Sequence, residues 1–259
     1  MSTNLAIKEN LQAVFSSFGR VVASLTPEQF LVQSLCPAWD VRGVVFHVLG
    51  LETVLLGWRP GDELPFGRMP EALANLQNLA PDEFSDRYNT ITAQRMAEIE
   101  AMSDEEFTAP SVTPVGPGTY ARFMAIREFD IWVHERDIRV PLRIDGDDSG
   151  PAAEMALDEV HSSLGFIVGK KIGLADGKGL AIELTGPVTR TLLAKVDGKA
   201  KRVDQLDSPD ATLTMDSLTF MLLACGRIDP EGPIADGRVR WKGDAEIGAH
   251  AARSLAFTM

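Results

Sequence analysis

The stretch 127–139 reads REFDIWVHERDIR and sets Asp130, His134 and Asp137 among Phe, Ile, Trp and Val. Asp130 and His134 are four residues apart, the spacing that stacks two side chains on one helix face. That arrangement offers two ligands to one metal ion, and it equally makes a simple ion pair. On a wheel of about 100° per residue, Phe123, Met124, Ile126, Phe129, Ile131, Val133 and Ile138 form a wide apolar arc. Arg127, Asp130, His134 and Asp137 fall inside that arc. Glu128, Glu135, Arg136 and Arg139 are expected on the opposite, solvated side, with Trp132 at its margin. Charges inside an apolar arc need partners, because an unpaired buried charge is strongly destabilising.

A third ligand is available upstream. The run VVFHVLGLETVLLGW is apolar almost all round, and His47 lies on it between Leu51 and Val54. Two imidazoles and one carboxylate from facing bundle helices form a ligand set that leaves a position open for water or substrate. Against this stands the plainer reading of His47 and His134 as hydrogen-bonded core histidines. Asp137, three residues past His134, is placed to orient that imidazole or to pair with Arg127 or Arg139.

The elements that must hold these residues are helical in the first half. Leu5, Val14, Phe18 and Val21 give a helical stripe at the start. Thr26-Pro27 predicts a short helix with Thr26 as its cap. Asp40 caps a long helix running to about Gly57, and further long helices are expected over about 82–102 and from Thr119 to just before Pro141. Residues 59–70 and 108–118, rich in Pro and Gly, read as loops. Four long helices predict a four-helix bundle, here residues 1–148. RIDGDDSG (143–150) reads as a linker, followed by a helix from about Pro151 to Val168. GLAIELTG, TRTLLAKVDG and ATLTMD then alternate as strands do, DSLTFMLLACG reads as a helix and GRVRWKGD as a last strand. Residues 149–259 are therefore expected to form a small α+β domain.

Composition narrows the function classes. Of 259 residues, 45% are hydrophobic, enough for a packed core, and the net charge of -12 argues against nucleic acid as a partner. Cys36 and Cys225 are too few for a disulfide framework or a thiolate zinc site. The N-terminal MSTNLAIKENL lacks the apolar core of a signal peptide, and the most apolar run contains His47 and Glu52 and is too short for a bilayer. A cytoplasmic protein that binds no membrane is expected, as a monomer or homodimer. Cys36, before Pro37, reads as a small buried residue, Trp39 and Trp58 as packing anchors, and His161 and His250 as ordinary residues.

CPAWDVRGVVFHVLG and REFDIWVHERDIR resemble the two signatures of the mycothiol-dependent maleylpyruvate isomerase family, whose bundle is related to the DinB-like metalloproteins. The resemblance implies a divalent metal, Zn²⁺ or else Ni²⁺, held by His47, Asp130 and His134. The family acid is often Glu, so Asp130 brings a shorter arm. DATLTMDSLTFMLLACGR with DGRVRWKGD resembles the sterol-carrier-like C-terminal domain of the same proteins, in which an arginine near the chain end completes the cleft. Arg238 and Arg240 are the two candidates, expected on one strand face with Val239 on the other.

The function so implied is thiol transfer or isomerisation, with mycothiol as the thiol and a small electrophile as substrate. Two other classes remain open: a metal-dependent hydrolase without a thiol, and a non-catalytic binder of a small apolar ligand on a scaffold with structural histidines.

Overall fold

The computed structural model describes residues 3–258, which divide into two compact units between Gly146 and Asp147. The first is a four-helix bundle of α1 (Thr3–Ser24), α2 (Val41–Leu55), α4 (Glu83–Glu100) and α6 (Tyr120–Leu142). α1 packs on α4 and α6, and α2 packs on the same two helices. The short α3 (Met69–Gln77) lies on α2, close enough that a Cβ at Gly50 would meet the Met69 sulfur at 3.1 Å. A single turn, α5 (Asp104–Phe107), closed by a Ser103/Glu106 capping box, precedes α6.

Caps fix where the long helices begin. The Asp40 carboxylate accepts from Gly43 N at 2.8 Å and starts α2, and the Thr119 hydroxyl accepts from Arg122 N at 3.1 Å and starts α6. The bundle core is aromatic: Phe18 is fully buried with its ring 5.3 Å from that of Tyr88, and Trp58 stacks on Tyr120 at 5.0 Å. Trp58 is thus a packing anchor, as its sequence context suggested.

Several local expectations are corrected. The helix after Thr26 is a single 3-10 turn, Gln29–Leu31, with the Gln29 side chain folded back to accept from Thr26 N at 2.8 Å. Residues 108–118 contain a β-hairpin, β1 (Pro110–Thr113) and β2 (Gly116–Thr119); a two-stranded ribbon is all edge, so Pro110 and Pro117 are tolerated in it. The predicted loop 59–70 holds a 3-10 turn, Pro65–Arg68, and the start of α3. α6 does not stop before Pro141 but passes through it. A proline removes the N–H that would bond the carbonyl four residues back, and that freed carbonyl, on Asp137, accepts from Leu35 N at 3.0 Å. The face of α6 expected in solvent is also buried: Glu128, Glu135, Arg136 and Arg139 are each less than 5% exposed. Arg139 Nε lies 2.8 Å from Glu135 Oε1, and the Arg136 guanidinium lies 3.5 Å above the Trp132 ring.

The second unit is α+β. α7 (Gly150–Ser162) and the single turn α8 (Leu164–Phe166) run into a π-helical turn over Ile167–Lys171, so the expected continuous helix is broken after Ser162. The sheet comprises β3 (Gly179–Thr185), β4 (Arg190–Asp197), β5 (Lys199–Arg202), β6 (Ala211–Asp216) and β7 (Arg240–Gly243) in the order β5-β4-β3-β6-β7. Only β3 and β6 are parallel among its pairs. Three helices complete the unit: α9 (Ser217–Ala224), α10 (Glu231–Ala235) and α11 (Ala245–Arg253). Gly243, at φ +89°, ends β7 where a Cβ would lie 2.3 Å from the Asp210 carbonyl oxygen, a turn that only glycine can make. Cys36 and Cys225 are both buried and reduced, and no helix among the described residues is long and apolar enough to cross a membrane.

The bundle's dependence on its aromatic core is measurable. Phe18→Ala, which removes a fully buried ring between α1 and α4, is expected to lower unfolding stability by about 3–5 kcal/mol in urea titrations followed by circular dichroism.

Candidate metal centre

α2 and α6 bring His47, Asp130 and His134 together: one ligand atom from each lies within 4.8 Å of the other two. His47 Nε2 is 3.4 Å from Asp130 Oδ2, and His134 Nε2 is 3.5 Å from Asp130 Oδ1. The two imidazoles meet edge to face with centroids 4.7 Å apart. His134 is buried, whereas His47 and Asp130 keep about a quarter of their side-chain surface, 25% and 30%, open to solvent. The site is therefore walled by protein on one side and reachable from the other.

The donor set fits a divalent cation. His47 Nε2 is buried and makes no hydrogen bond, lying 3.4 Å from Asp130 Oδ2. An orphaned ring nitrogen beside a carboxylate is an unsatisfied group that a cation would satisfy. His134 Nδ1 donates to Asp137 Oδ2 at 2.8 Å, which fixes the ring and aims Nε2 at the site. Of the partners left open for Asp137, the structure thus supplies His134, and Asp137 itself is fully buried.

Two neighbours have roles the sequence did not disclose. Trp39 is more than a packing anchor: its indole stacks on His47 with centroids 4.8 Å apart and tilts over His134 at 5.8 Å. The segment carrying it is tied down at both ends, by Leu35 N on the Asp137 carbonyl and by the Ser34 hydroxyl donating to the Trp39 carbonyl at 2.7 Å. The second is Arg127. Its Nη1 donates to Asp130 Oδ2 at 2.5 Å, while Nε and Nη2 donate to Glu52 Oε1 at 3.0 and 2.8 Å. The signal for Glu52 was its presence five residues after His47 in a helix otherwise almost free of charge.

Arg238 and Arg240 lie in the second unit. Arg238 precedes β7 rather than lying on it, and its Nε pairs with Asp236 Oδ2 at 2.9 Å. Arg240 opens the strand and is exposed, as is Arg238, with Val239 buried between them. His250 is an ordinary residue with Nε2 2.9 Å from the Ile172 carbonyl.

The titration behaviour follows from burial and charge. Burial opposes ionisation of Asp130, but His134 and Arg127 outweigh it and hold the carboxyl well below its usual range. Burial lowers the pKa of His47 from its ordinary 6.5, and the Asp130 carboxylate offsets only part of this. Burial also works against the charge on His134, yet Asp130 and then Asp137 overcome it and raise the ring to about 9. A raised histidine contributes stability that is complete below its unfolded pKa and is lost as pH climbs through the folded one. In chelator-treated protein the His134 ring should therefore stay protonated through neutral pH and titrate near 9 by ¹⁵N NMR, with its share of stability lost between 6.5 and about 9.

Comparison with known proteins places the chain. Residues 11–139 match the family model of the mycothiol maleylpyruvate isomerase N-terminal domain, and residues 154–247 match the model of the C-terminal domain of the same proteins. No curated protein sequence matches. A solved mycothiol-dependent maleylpyruvate isomerase superposes with TM-score 0.62 at 17% identity, covering 88% of this chain and 90% of that one. A histidine-to-alanine mutant of such an isomerase gives TM-score 0.61 at 16% identity over 95% of both chains. The sterol carrier protein 2 like 2 of Aedes aegypti aligns over 39% of this chain and 96% of its own, with TM-score 0.31 and 18% identity. With both of its halves matched in order, the chain belongs to the mycothiol-dependent maleylpyruvate isomerase family.

Proposed function

We propose that the protein is a metal-dependent, mycothiol-using isomerase or S-transferase acting on a small electrophilic substrate. The observation that carries this reading is the convergence of His47, Asp130 and His134 around an orphaned His47 Nε2. Two nitrogens and one carboxylate oxygen suit Zn²⁺, with Ni²⁺ as the alternative that imidazole also accepts. A divalent cation bound there would lower the pKa of a coordinated thiol and make it nucleophilic at neutral pH.

The chain's own groups do the rest. With a cation bound, Asp137 would keep the His134 proton on Nδ1 and so leave Nε2 as the lone-pair donor. Trp39 covers the His47 ring on one face and keeps water from it. The open side left by His47 and Asp130 is the way in for a thiol and its partner. Thiol chemistry then sets the reaction class: a thiol that adds to an electrophilic carbon and later departs leaves an isomer, and one that stays leaves a conjugate. For a substrate carboxylate, Arg240 is the better of the two C-terminal arginines. Its guanidinium makes no ion pair among the described residues, whereas that of Arg238 is held by Asp236.

Elemental analysis of protein purified without added metal or chelator should find one Zn²⁺ or Ni²⁺ per chain, and addition of mycothiol should support turnover of maleylpyruvate or a related electrophile. His134→Ala is expected to abolish metal content and keep the helical fold, at a cost of about 1–4 kcal/mol. A metal-free wild type whose His134→Ala variant is badly destabilised would mean instead that Asp130 and His134 are a structural pair. Arg240→Ala should raise KM for a carboxylate substrate and leave metal content unchanged; an unaltered KM removes the arginine from substrate binding.

A further inference from the structure

Arg127 is a positive charge in direct contact with a proposed cation ligand, and the metal reading by itself gives it no role. A guanidinium so placed should repel a cation, unless something offsets it. We propose that Arg127 is the positioning residue of the cation site: anchored from behind by Glu52, it pins one oxygen of Asp130 and leaves the other to the cation. This inference rests on the reading of His47, Asp130 and His134 as metal ligands.

The geometry points to a lock. Arg127 is 4% exposed, and its planar group uses Nε, Nη1 and Nη2 at once, two on Glu52 and one on Asp130. A guanidinium bound on two edges cannot swing, so the Asp130 oxygen it holds cannot either. That oxygen is Oδ2, which also lies 3.4 Å from His47 Nε2, whereas Oδ1 is turned to His134 Nε2. Asp130 is thereby held with Oδ1, the oxygen that Arg127 does not engage, turned toward the site. The lock matters more for an aspartate than for a glutamate, because the shorter arm has less reach to correct a misplaced carboxylate.

The anchor is itself anchored. Glu52, 1% exposed, gives Oε1 to Arg127 and Oε2 to Arg95 Nε at 3.3 Å. Arg95, fully buried, donates onward to Glu98 Oε2 at 3.0 Å and to the Tyr120 hydroxyl at 3.3 Å. Charges alternate along this path from α4 through α2 to α6, so the positive charge facing the site is offset by the negative charge behind it. Glu52 thus serves the cation twice, by fixing Arg127 and by cancelling its repulsion.

The test uses the full chain, stripped with chelator and titrated with Co²⁺, whose visible d–d absorption reports the ligand field. The wild type should bind one Co²⁺. Arg127→Met, with its fold verified by circular dichroism, should bind about 10–100-fold more weakly with a shifted d–d band, the usual cost of losing a residue that orients a ligand. Arg127→Lys keeps the charge and one contact and should recover part of that loss. Glu52→Gln, which leaves the Arg127 charge uncompensated, should also weaken Co²⁺. A folded Arg127→Met with wild-type affinity and spectrum overturns the positioning role while leaving the metal site standing. Should Arg127→Met not fold, Arg127→Lys and Glu52→Gln decide, and wild-type affinity and spectrum in both overturns the role. A wild type that binds no Co²⁺ overturns the metal reading itself, and this inference with it.

Discussion

Glu52 sits out of water between two guanidinium groups, and the bundle is arranged around that fact. A carboxylate buried alone in such a core would be strongly destabilising. Here it is met from α4 by Arg95 and from α6 by Arg127, so three helices share one electrostatic knot. Burial works against the charge on each arginine, but Glu52 together with Tyr120 and Glu98 at Arg95, and with Asp130 at Arg127, leaves their pKa values above the ordinary one. A charge cluster of this kind contributes less to stability than apolar packing of equal volume, but it tolerates few alternative registers. The relative rotation of α2 and α6 that satisfies Glu52 is also the rotation that sets His47 opposite Asp130 and His134.

A second constraint comes from Pro141. By withholding an N–H from the Asp137 carbonyl it gives the Leu35 amide a partner on α6. The chain between α1 and α2 is thereby fastened to the same turn whose side chain orients His134. Trp39 follows four residues later and lies against both imidazoles. One proline thus links the backbone that carries the indole to the residue that fixes the ring beneath it. The site is built on helix interiors and a tethered segment, which gives it the rigidity that ligand geometry needs.

Much of this was written in local sequence. Asp40 and Thr119 begin their helices as capping residues do, and the α6 wheel turns Asp130, His134, Asp137 and Arg127 inward together. The wheel failed for Glu128, Glu135, Arg136 and Arg139 because periodicity detects one apolar face and cannot see that a polar face is covered as well. Arg136 over Trp132 and Arg139 on Glu135 show how such a face can be buried with its charges met. The hairpin at 110–119 was hidden because prolines and glycines signal a turn without revealing that its arms pair. Glu52 was legible as a charge in an apolar helix, but its partners, 43 and 75 residues distant, were not. Nor did spacing reveal that Pro141 frees a carbonyl, since the amide that takes it comes from a segment far earlier in the chain.

Charge along the connected path bears on how a cation would be held at the proposed site. From Glu98 through Arg95, Glu52, Arg127 and Asp130 to Asp137, four carboxylates face two guanidinium groups. Taken as formal charges, two negatives are left over, one of them at Glu98, partly exposed at the far end of the path from the imidazoles. A proton on His134 offsets one, and the raised pKa of that ring is the response of the site to the excess. His47, whose pKa burial lowers, does not supply the other. A divalent cation held there would give His47 Nε2 a partner and compete with the proton on His134, so its affinity is expected to rise with pH as that proton leaves.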